Sequence, residues 1–423
     1  MYISKISLKN IRGFKSLEFD LDRGGGEFAG WTVFTGSNGS GKSTLLKAIA
    51  FCLVPLDARF ILQSDAPAFF QRKNPERTQH EIRLLFSPCD TDDDSLDENF
   101  LRVNHGYYET AGFLFNAGMN NGVISSPSMA GKLLHGWFSC GYGPFRRITS
   151  PKENVEQIQR SKDSERFATL FLEAATLSEV DPWLTKLKFQ QLEGSKPAAD
   201  QLVFFLDLIR DSLLPEGFSV DRVDSQGLWL RDSNGVELSW FDMSDGQRVA
   251  IILVADIVRH MIGAYGLDGL YDRDKDGKIY ITRSGVVLID EIDAHLHPSW
   301  QREIGFWLKR HFPKVQFLVT SHSPIILQAA DPNGLFVLPE PGSEDQPRRL
   351  TPGEYQKVIA SRPDSILLSP AFGLENTRSE LAVDNRARYS KLQSKKRAGA
   401  KLSATEEKDM QGLLPFVETG EED

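Results

Sequence analysis

Apolar and polar residues alternate along the first part of the chain. Residues 2–8 and 14–21 each place an apolar residue at about every second position, which predicts two β-strands joined around Gly13. Residues 31–34 form a short apolar run that predicts a buried strand, and the segment after Thr44 has the apolar content of a buried helix. The pattern predicts a strand, a polar loop and a helix in succession.

The pattern changes in the middle of the chain. Residues 80–86 predict one more strand, whereas 153–214 contain apolar residues at helical spacing and predict a group of helices. Three short strand-like pieces follow. A long buried helix is then predicted around Val249, directly after the polar quartet Ser-Asp-Gly-Gln at 244–247.

Continuous apolar runs at 285–290 and 315–321 predict strands that are buried on both faces, with a helix at 299–311 between them. Such strands, alternating with helices, are typical of a largely parallel sheet. The predicted fold class is α/β, with a mixed sheet core, a helical second lobe and C-terminal helices. A solvated loop is expected at 87–99, and hairpins and loops at 104–131.

The composition is that of a globular protein. Of 423 residues, 40% are hydrophobic and 25% are charged, which excludes wholesale disorder. The net charge of −9 gives the surface as a whole no attraction for nucleic acid, so DNA binding would need a local basic patch. The candidates are Arg146, Arg147 and the basic segment 378–401, which could equally form a solvated charged face.

The cysteines and the apolar runs indicate a location. Cys52, Cys89 and Cys140 lie far apart, which argues against a disulfide framework and is typical of a reducing compartment. The N-terminus has no apolar signal core, and no apolar run reaches the ~18 residues needed to span a bilayer. We expect a cytoplasmic protein with no membrane contact.

Residues 36–43 match the phosphate-binding P-loop pattern, between a predicted strand and a predicted helix. The backbone N–H groups of the loop would surround the phosphates of ATP. Lys42 would reach the β- and γ-phosphates, and the Ser43 hydroxyl would bind Mg²⁺. The predicted nucleotide-binding residues of this loop are Gly36, Asn38, Gly39, Gly41, Lys42, Ser43 and Thr44. The alternative, a glycine-rich turn without a ligand, is disfavoured by the context.

An apolar strand that ends in two acidic residues follows downstream. In a P-loop protein, a carboxylate at the end of such a strand holds Mg²⁺, which makes Asp290 the predicted metal ligand. Glu291 is placed to orient or deprotonate the attacking water. Without a P-loop, the same pattern would mark only the exit of a strand into a loop.

The quartet at 244–247 stands where a buried helix begins. The first N–H groups of a helix have no partner inside it, and the helix dipole is positive there. Ser244 could therefore be an ordinary N-cap, or the quartet could bind an anion such as phosphate. The quartet by itself does not decide between these two.

The order of P-loop, quartet, acidic strand end and a histidine after the next strand resembles the ABC-type ATPase family. The signature of that family is usually written Leu-Ser-Gly-Gly-Gln, and Met243–Gln247 stands in its place here, with Asp245 as a departure. The resemblance implies that Ser244, Gly246 and Gln247 bind ATP held by the opposite protomer. A homodimer or a higher even oligomer is therefore implied, with ATP and Mg²⁺ as cofactors.

The same resemblance assigns the remaining site residues. It places Asp293 in the loop that crosses the dimer interface and gives His322 the role of γ-phosphate switch, so that the implied catalytic residues are Glu291, His322 and Lys42. One landmark is missing, since no glutamine stands at 136–148, where that family has one that contacts Mg²⁺. The segment at 141–147 either replaces it or forms a turn followed by a basic edge.

Three stretches, ISLKNIRGFKSLEF, EIDAHLHP and TSHSP, resemble RecF and SMC proteins. The chain looks like the compact, stand-alone RecF-like ATPases of bacterial anti-phage systems, such as those of Septu and certain retrons. We expect an ATPase lobe with a β-rich insert over 1–150 and a helical lobe over 151–240. The ATPase core would be completed over 241–350, and a helical tail would occupy 351–423.

This resemblance implies a Mg-ATP-dependent dimerising ATPase that regulates or triggers a separate effector, a nuclease or a toxin, in anti-phage defence. The alternatives are a RecF-like DNA-repair ATPase that acts directly on DNA, and a scaffold that binds ATP with little turnover.

Two other patterns resemble metal sites only weakly. His295 and His297 are more consistent with a shaped loop than with a metal pair, and Asp272–Gly277 resembles a Ca²⁺ loop but has Arg283 where the bidentate glutamate is needed.

Overall fold

The computed structural model describes most of the chain in two compact units, Met1–Ile366 and Leu367–Asp423. The described residues are 1–54, 79–87, 89, 108–116, 137–146, 162–211, 213–214 and 217–417. Arg147, most of the solvated loop predicted at 87–99 and much of the segment 104–131 lie outside them. The four-part division of the chain stays a prediction.

The N-terminal hairpin belongs to a four-stranded antiparallel sheet with the order β2-β1-β4-β5. Its strands are β1 (Tyr2–Ile11), β2 (Phe14–Asp20), β4 (Gln79–Ser87) and β5 (Tyr108–Asn116). The predicted period of two is present, because β1 and β2 pair directly across the turn at Arg12 and Gly13. Buried apolar side chains on one face of β1 and β2 alternate with exposed polar ones.

The central sheet has the order β15-β14-β3-β13-β12-β6, and all its pairs are parallel except β14 with β15. Its strands are β3 (Gly30–Thr35), β6 (Ser139–Tyr142), β12 (Gly285–Ile289), β13 (Val315–Thr320), β14 (Leu335–Val337) and β15 (Arg348–Arg349). The predicted α/β class with a mixed sheet is confirmed. Because β3, β12 and β13 run in the same direction, their carboxyl ends meet at one edge of the sheet.

Helices connect and cover these strands. In the first unit they are α1 (Lys42–Leu53), α2 (Lys162–Phe171), α3 (Val180–Leu192), α4 (Lys196–Arg210), α5 (Asp245–Tyr265), α6 (Pro298–His311), α7 (Pro324–Leu327), α8 (Pro352–Ala360) and α9 (Pro363–Leu367), the last ending in the second unit. One core cluster joins side chains of α1 to both sheets. The first helical turn after the P-loop is therefore fixed from both sides.

The region predicted as a helical lobe contains α2, α3 and α4 and then a three-stranded antiparallel sheet. The strands are β7 (Phe218–Asp224), β8 (Gly227–Asp232) and β9 (Glu237–Ser239). A short 3₁₀ turn, Trp240–Asp242, leads from β9 to the head of α5. The segment that resembles a Ca²⁺ loop is the turn between β10 (Tyr271–Arg273) and β11 (Ile279–Ile281).

The second unit is built around two helices, α10 (Glu380–Arg397) and α11 (Ala404–Leu413), followed by a 3₁₀ turn at Leu414–Phe416. Salt bridges join Arg388 to Asp409 and Lys395 to Glu406 between the two helices. None of the residues of α10 is buried. Over the described part of the chain, no helix is long and apolar enough to cross a bilayer.

Candidate nucleotide site

The P-loop connects β3 to α1 and needs its glycines. Gly41 caps α1 with a φ of 95°, and a Cβ atom there would clash with the ring of Phe14. Gly36 has a φ of 146°, and its Cβ would lie 2.9 Å from the Ser40 hydroxyl and 3.2 Å from the carbonyl oxygen of Leu338. Both positions combine a left-handed backbone with no space for a side chain, which leaves the backbone N–H groups accessible to a ligand.

Lys42 is folded back over this loop. Its side chain is largely buried, and Nζ donates hydrogen bonds of 2.8 Å to the carbonyl oxygens of Gly36 and Ser37. Burial lowers the pKa of the ammonium group, whereas the carboxylates of Asp290 and Glu291 act in the opposite direction. The positive charge is thus held between the loop and the acidic end of β12, where a phosphate bound by the loop would meet it.

The acidic strand end is fixed by one hydroxyl. Asp290 is 1% exposed, and its Oδ1 accepts a hydrogen bond of 2.6 Å from Thr320 Oγ1. The same hydroxyl oxygen accepts the backbone N–H of Glu291 at 2.8 Å. Glu291 has a φ of 45°, in the left-handed region that a non-glycine residue rarely adopts. The chain turns sharply at Glu291, and this residue lines the cavity next to the P-loop.

Asp293 and His322 meet on the other side of this turn. Oδ1 of Asp293 accepts a hydrogen bond of 2.6 Å from the Ser321 hydroxyl and one of 3.3 Å from the backbone N–H of His322. Burial lowers the pKa of His322, and the charge of Lys42 lowers it further. The imidazole is therefore neutral at pH 7 and can accept as well as donate a hydrogen bond.

These elements surround a single cavity of about 400 Å³. The predicted residues that line it are Asn38, Gly39, Gly41, Lys42, Ser43, Thr44, Glu291 and His322. The cavity has the size of a small-ligand site. Its glycine cradle, Lys42 and Ser43, with Glu291 lining the same cavity, form a set of groups that suits a magnesium-bound nucleotide. Lys42, Ser43 and the loop N–H groups would hold the phosphates, and Ser43 with Asp290 would hold the metal.

Two groups of cavity residues escaped the sequence predictions. Arg12 and Phe14 come from the β1–β2 hairpin, and residues 339–343 come from the loop after β14. Oε2 of Glu340 accepts a hydrogen bond of 2.8 Å from the Ser37 hydroxyl of the P-loop. The first group carried a signal, since the stretch IRGF supported the family resemblance, whereas nothing in the sequence marked the loop at 339–343.

The signature quartet does not line this cavity. Ser244 is exposed and takes the backbone geometry of an N-cap at the head of α5, yet within the described residues its side chain makes no capping hydrogen bond. A Cβ at Gly246 would clash with the carbonyl oxygen of His295, so the helix start packs against that loop. Gln247 lies in the first turn of α5, and its side chain, like that of Asp245, is outside the described part of the structure.

Arg146 corrects one prediction. It was a candidate for a basic surface that binds DNA, but it is 2% exposed and donates to the backbone carbonyl oxygen of Asp290 at 3.1 Å. A buried guanidinium group cannot contact the phosphate backbone of DNA. The prediction was wrong because a local sequence pattern does not reveal whether an arginine side chain is buried or exposed. The histidines also take structural places, because His297 caps α6 by accepting the N–H of Ser299.

The geometry of P-loop, acidic strand end and switch histidine around one cavity is that of a P-loop ATPase with an ABC-type core. Comparisons with known proteins agree. A family described as "AAA domain, putative AbiEii toxin, Type IV TA system" matches residues 136–328, and one described as "AAA domain" matches residues 5–99. The chain therefore has a P-loop ATPase fold, and the arrangement of its site resembles that of ABC-type ATPases.

Its similarity extends to particular proteins. The Septu protein PtuA of Bacillus mycoides (strain KBAB4) is 27% identical over 390 residues, covering 90% of this chain and 46% of that protein. This chain thus spans about half the length of that relative. The "Retron Ec83 probable ATPase" of Escherichia coli is 24% identical over 404 residues, covering 79% of this chain and 71% of that protein. The SMC head domain from Thermotoga maritima has 14% identity and a TM-score of 0.42, with 83% of this chain and 100% of that chain covered.

Proposed function

We propose that this protein is a Mg-ATP-dependent dimerising ATPase that regulates or triggers a separate effector, a nuclease or a toxin, in anti-phage defence. The observation that carries the proposal is that the signature residues lie apart from the cavity that the P-loop lines. Lys42, Glu291 and His322 line one cavity, whereas Ser244 lies exposed at the head of α5 and does not line it. The first N–H groups of a helix have no partner inside it, so this helix start is suited to a phosphate presented by another chain.

Each residue has a role in this proposal. Lys42 and the loop N–H groups bind the phosphates, and Ser43 and Asp290 hold Mg²⁺. Glu291 would take a proton from, or orient, the attacking water, because it lines the same cavity as Lys42 and Ser43. His322, held neutral by burial and by Lys42, contacts the terminal phosphate. A Mg²⁺ ion held by Ser43 and Asp290 would supply positive charge beside the phosphate oxygens.

The partner chain completes the site. Ser244, Gly246 and Gln247 of one protomer would bind the terminal phosphate held by the other, and Asp293 would lie at the interface. Asp293 supports this because its bonds to Ser321 and to the N–H of His322 join the proposed interface loop to the proposed switch. Closure of the dimer and its relaxation after hydrolysis would then be the signal that a second protein reads.

The defence role rests on similarity. Relatives that carry the names Septu protein PtuA and retron probable ATPase align with most of this chain. The chain resembles the stand-alone RecF-like ATPases of anti-phage systems, and the same role is proposed here together with an effector partner.

The experiment uses Glu291→Gln, which binds ATP but should not hydrolyse it. Its mass by light scattering, with and without Mg-ATP, should change from monomer to dimer or from one even oligomer to a larger one. The same protein, purified with Mg-ATP from its native host, should bring a stoichiometric nuclease or toxin. The matched control is Glu291→Gln that also carries Ser244→Arg. It should show no increase in mass with Mg-ATP, and no nuclease or toxin should copurify with it. Nuclease-sensitive DNA without a protein partner would reject the effector role and favour action on DNA.

A second candidate function, direct action on DNA, is favoured by the surface of α10. This helix has no buried residue, and salt bridges to α11 occupy only Arg388 and Lys395 among its described basic side chains. Lys391, Lys396 and Arg397 are exposed on it. Exposed lysines and arginines along one helix can neutralise several phosphates.

Anisotropy of labelled duplex DNA at 50 and 200 mM salt tests this candidate. If α10 binds DNA, neutralising Lys391, Lys396 and Arg397 to Gln should weaken binding at least about tenfold and reduce its salt dependence. The matched control neutralises Lys186, Lys188 and Lys196 of the helical region. Equal losses in both triple variants would reject α10 as the binding surface.

A further inference from the structure

Arg146 lies under the turn that follows β12, and its guanidinium group is surrounded by backbone carbonyl oxygens. Nη1 donates to the carbonyl oxygens of Gly143 at 3.2 Å and Asp290 at 3.1 Å. Nη2 donates to those of Glu291 at 2.9 Å, Ala294 at 3.2 Å and Ile292 at 3.3 Å. One buried side chain thus donates to four of the five carbonyl groups from Asp290 to Ala294.

This turn is not one that the backbone favours by itself. Glu291 has a φ of 45° and His295 a φ of 66°, both in the left-handed region. Carbonyl groups that point to one place repel each other, and buried carbonyl groups without a donor are costly. A charged guanidinium with several N–H groups removes both penalties at once. The backbone around Glu291 is therefore hydrogen-bonded to a residue that does not line the cavity.

The chain segment that carries Arg146 also contacts the helix headed by the signature. The backbone carbonyl oxygen of Tyr142 accepts the N–H of Asp290 at 2.8 Å. The Tyr142 hydroxyl donates to Oδ2 of Asp256 in α5 at 2.9 Å, and Asp256 also accepts from Arg259 at 2.8 Å. Burial and the charge of Asp256 hold the pKa of Tyr142 well above its usual range, so its hydroxyl stays a donor. Residues 142–146 therefore bridge the acidic turn and α5.

We propose that Arg146 is a positioning residue for ATP hydrolysis: it fixes the backbone from Asp290 to Ala294 so that the Glu291 carboxylate points into the nucleotide cavity. The proposal rests on the proposed role of Glu291. It gives a physical task to the segment at which the family's usual glutamine is missing. Arg146 touches neither nucleotide nor metal in this proposal and acts only through the turn.

The first test needs no nucleotide. Hydrogen–deuterium exchange of the wild-type protein should show the amides of Asp290, Ile292 and Ala294 protected nearly as well as those of β12, because each donates to a backbone carbonyl oxygen. In Arg146→Lys, whose single ammonium cannot reach all the acceptors, exchange across residues 290–295 should become at least about tenfold faster. The matched control is Arg23→Lys, another largely buried arginine, which pairs with Asp331. It should leave this exchange unchanged.

The second test separates positioning from binding. In Arg146→Lys, kcat for ATP should fall at least about 30-fold while KM changes less than about threefold, because the phosphate-binding loop is untouched. For Arg146→Ala, guanidinium chloride at about 20 mM should restore part of kcat by filling the vacated space, and the same concentration of sodium chloride should not.

Specific outcomes overturn the proposal. Rapid exchange of residues 290–294 in the wild-type protein would overturn it without any variant, even if the variants fail to fold. Unchanged exchange and unchanged kcat in Arg146→Lys would also overturn it, as would an equal loss in Arg23→Lys. A wild-type protein that does not hydrolyse ATP would reject the proposed function, whereas the exchange experiment would still decide the role of Arg146 in the turn.

Discussion

The Thr320 hydroxyl donates a hydrogen bond of 2.6 Å to Oδ1 of Asp290, at the point where two parallel strands of the central sheet end side by side. The hydroxyl oxygen of Thr320 also accepts a hydrogen bond of 2.8 Å from the backbone N–H of Glu291, so the direction of the hydroxyl proton is fixed. Asp290 is thereby held in one orientation, which suits its proposed role as a metal ligand. A residue of β13 thus orients the acidic end of β12.

Removing this hydroxyl should weaken the metal site. In Thr320→Val, the Mg²⁺ concentration that half-saturates ATP hydrolysis should rise at least about tenfold, because partners that orient a metal ligand typically contribute that much. Thr320→Ser keeps the hydroxyl and is the matched control, with a Mg²⁺ dependence close to that of the wild type. A steady-state ATPase assay over a Mg²⁺ titration measures both. Equal Mg²⁺ requirements in all three proteins would contradict the assigned role of Asp290.

Lys42 should decide nucleotide affinity. In Lys42→Ala, the dissociation constant for ATP, measured by isothermal titration calorimetry, should rise at least about 100-fold, since a partly buried charge opposite the phosphates is lost. Lys186→Ala removes an exposed lysine of α3 and should bind ATP as the wild type does. Retention of ATP affinity in Lys42→Ala would show that the nucleotide binds elsewhere.

The P-loop glycines should differ in their tolerance of alanine. Gly41 and Gly24 both have positive φ, but a Cβ at Gly41 clashes with Phe14 whereas nothing lies within 4 Å of one at Gly24. Gly24→Ala therefore measures the backbone penalty alone. Gly41→Ala should reduce the free energy of unfolding by about 2 kcal/mol more than Gly24→Ala does, from overpacking. Urea denaturation measures both free energies of unfolding. Equal decreases in the two variants would mean that the Phe14 ring moves aside without destabilising the protein.

The pH dependence of stability should report on His322. Its pKa in the folded protein lies below the ordinary value of 6.5, so the unfolded chain binds more protons than the native state in that range. The free energy of unfolding of the wild type, minus that of His322→Gln, should therefore decrease as pH falls through 6.5, and level off below the native pKa. An increase of this difference toward low pH would show that His322 is stabilised as a cation.

The parts of the site that could be predicted from the sequence are those made of residues close together in the chain. The P-loop and the acidic strand end are short motifs that are recognisable from neighbouring residues in sequence. We predicted them at one sheet edge because parallel strands bring their carboxyl ends together. The role of Arg146 could not be predicted in this way. It acts on a turn that is distant in sequence, and nothing in GYGPFRR distinguishes an inward from an outward arginine.

The same contrast applies to the fold. The alternation in β1 and β2 and the apolar runs of β12 and β13 fixed their type, because burial of one or both faces leaves a periodic trace. The three-residue strands β10, β11 and β14 are too short to carry a period. Residues 339–343 reach the nucleotide cavity only through tertiary contacts, including the bond from Ser37 to Glu340.

The central claim is a site shared between two chains, and mixing two inactive variants tests it most directly. Lys42→Ala lacks the phosphate-binding lysine but keeps the signature, and Ser244→Arg blocks the signature but keeps the P-loop. Each alone should be nearly inactive in an ATPase assay. An equal mixture should recover about a quarter of wild-type activity, because half of the dimers are mixed and each of those has one intact site of two. A mixture no more active than the average of its parts, or full activity of Ser244→Arg alone, would contradict the shared site.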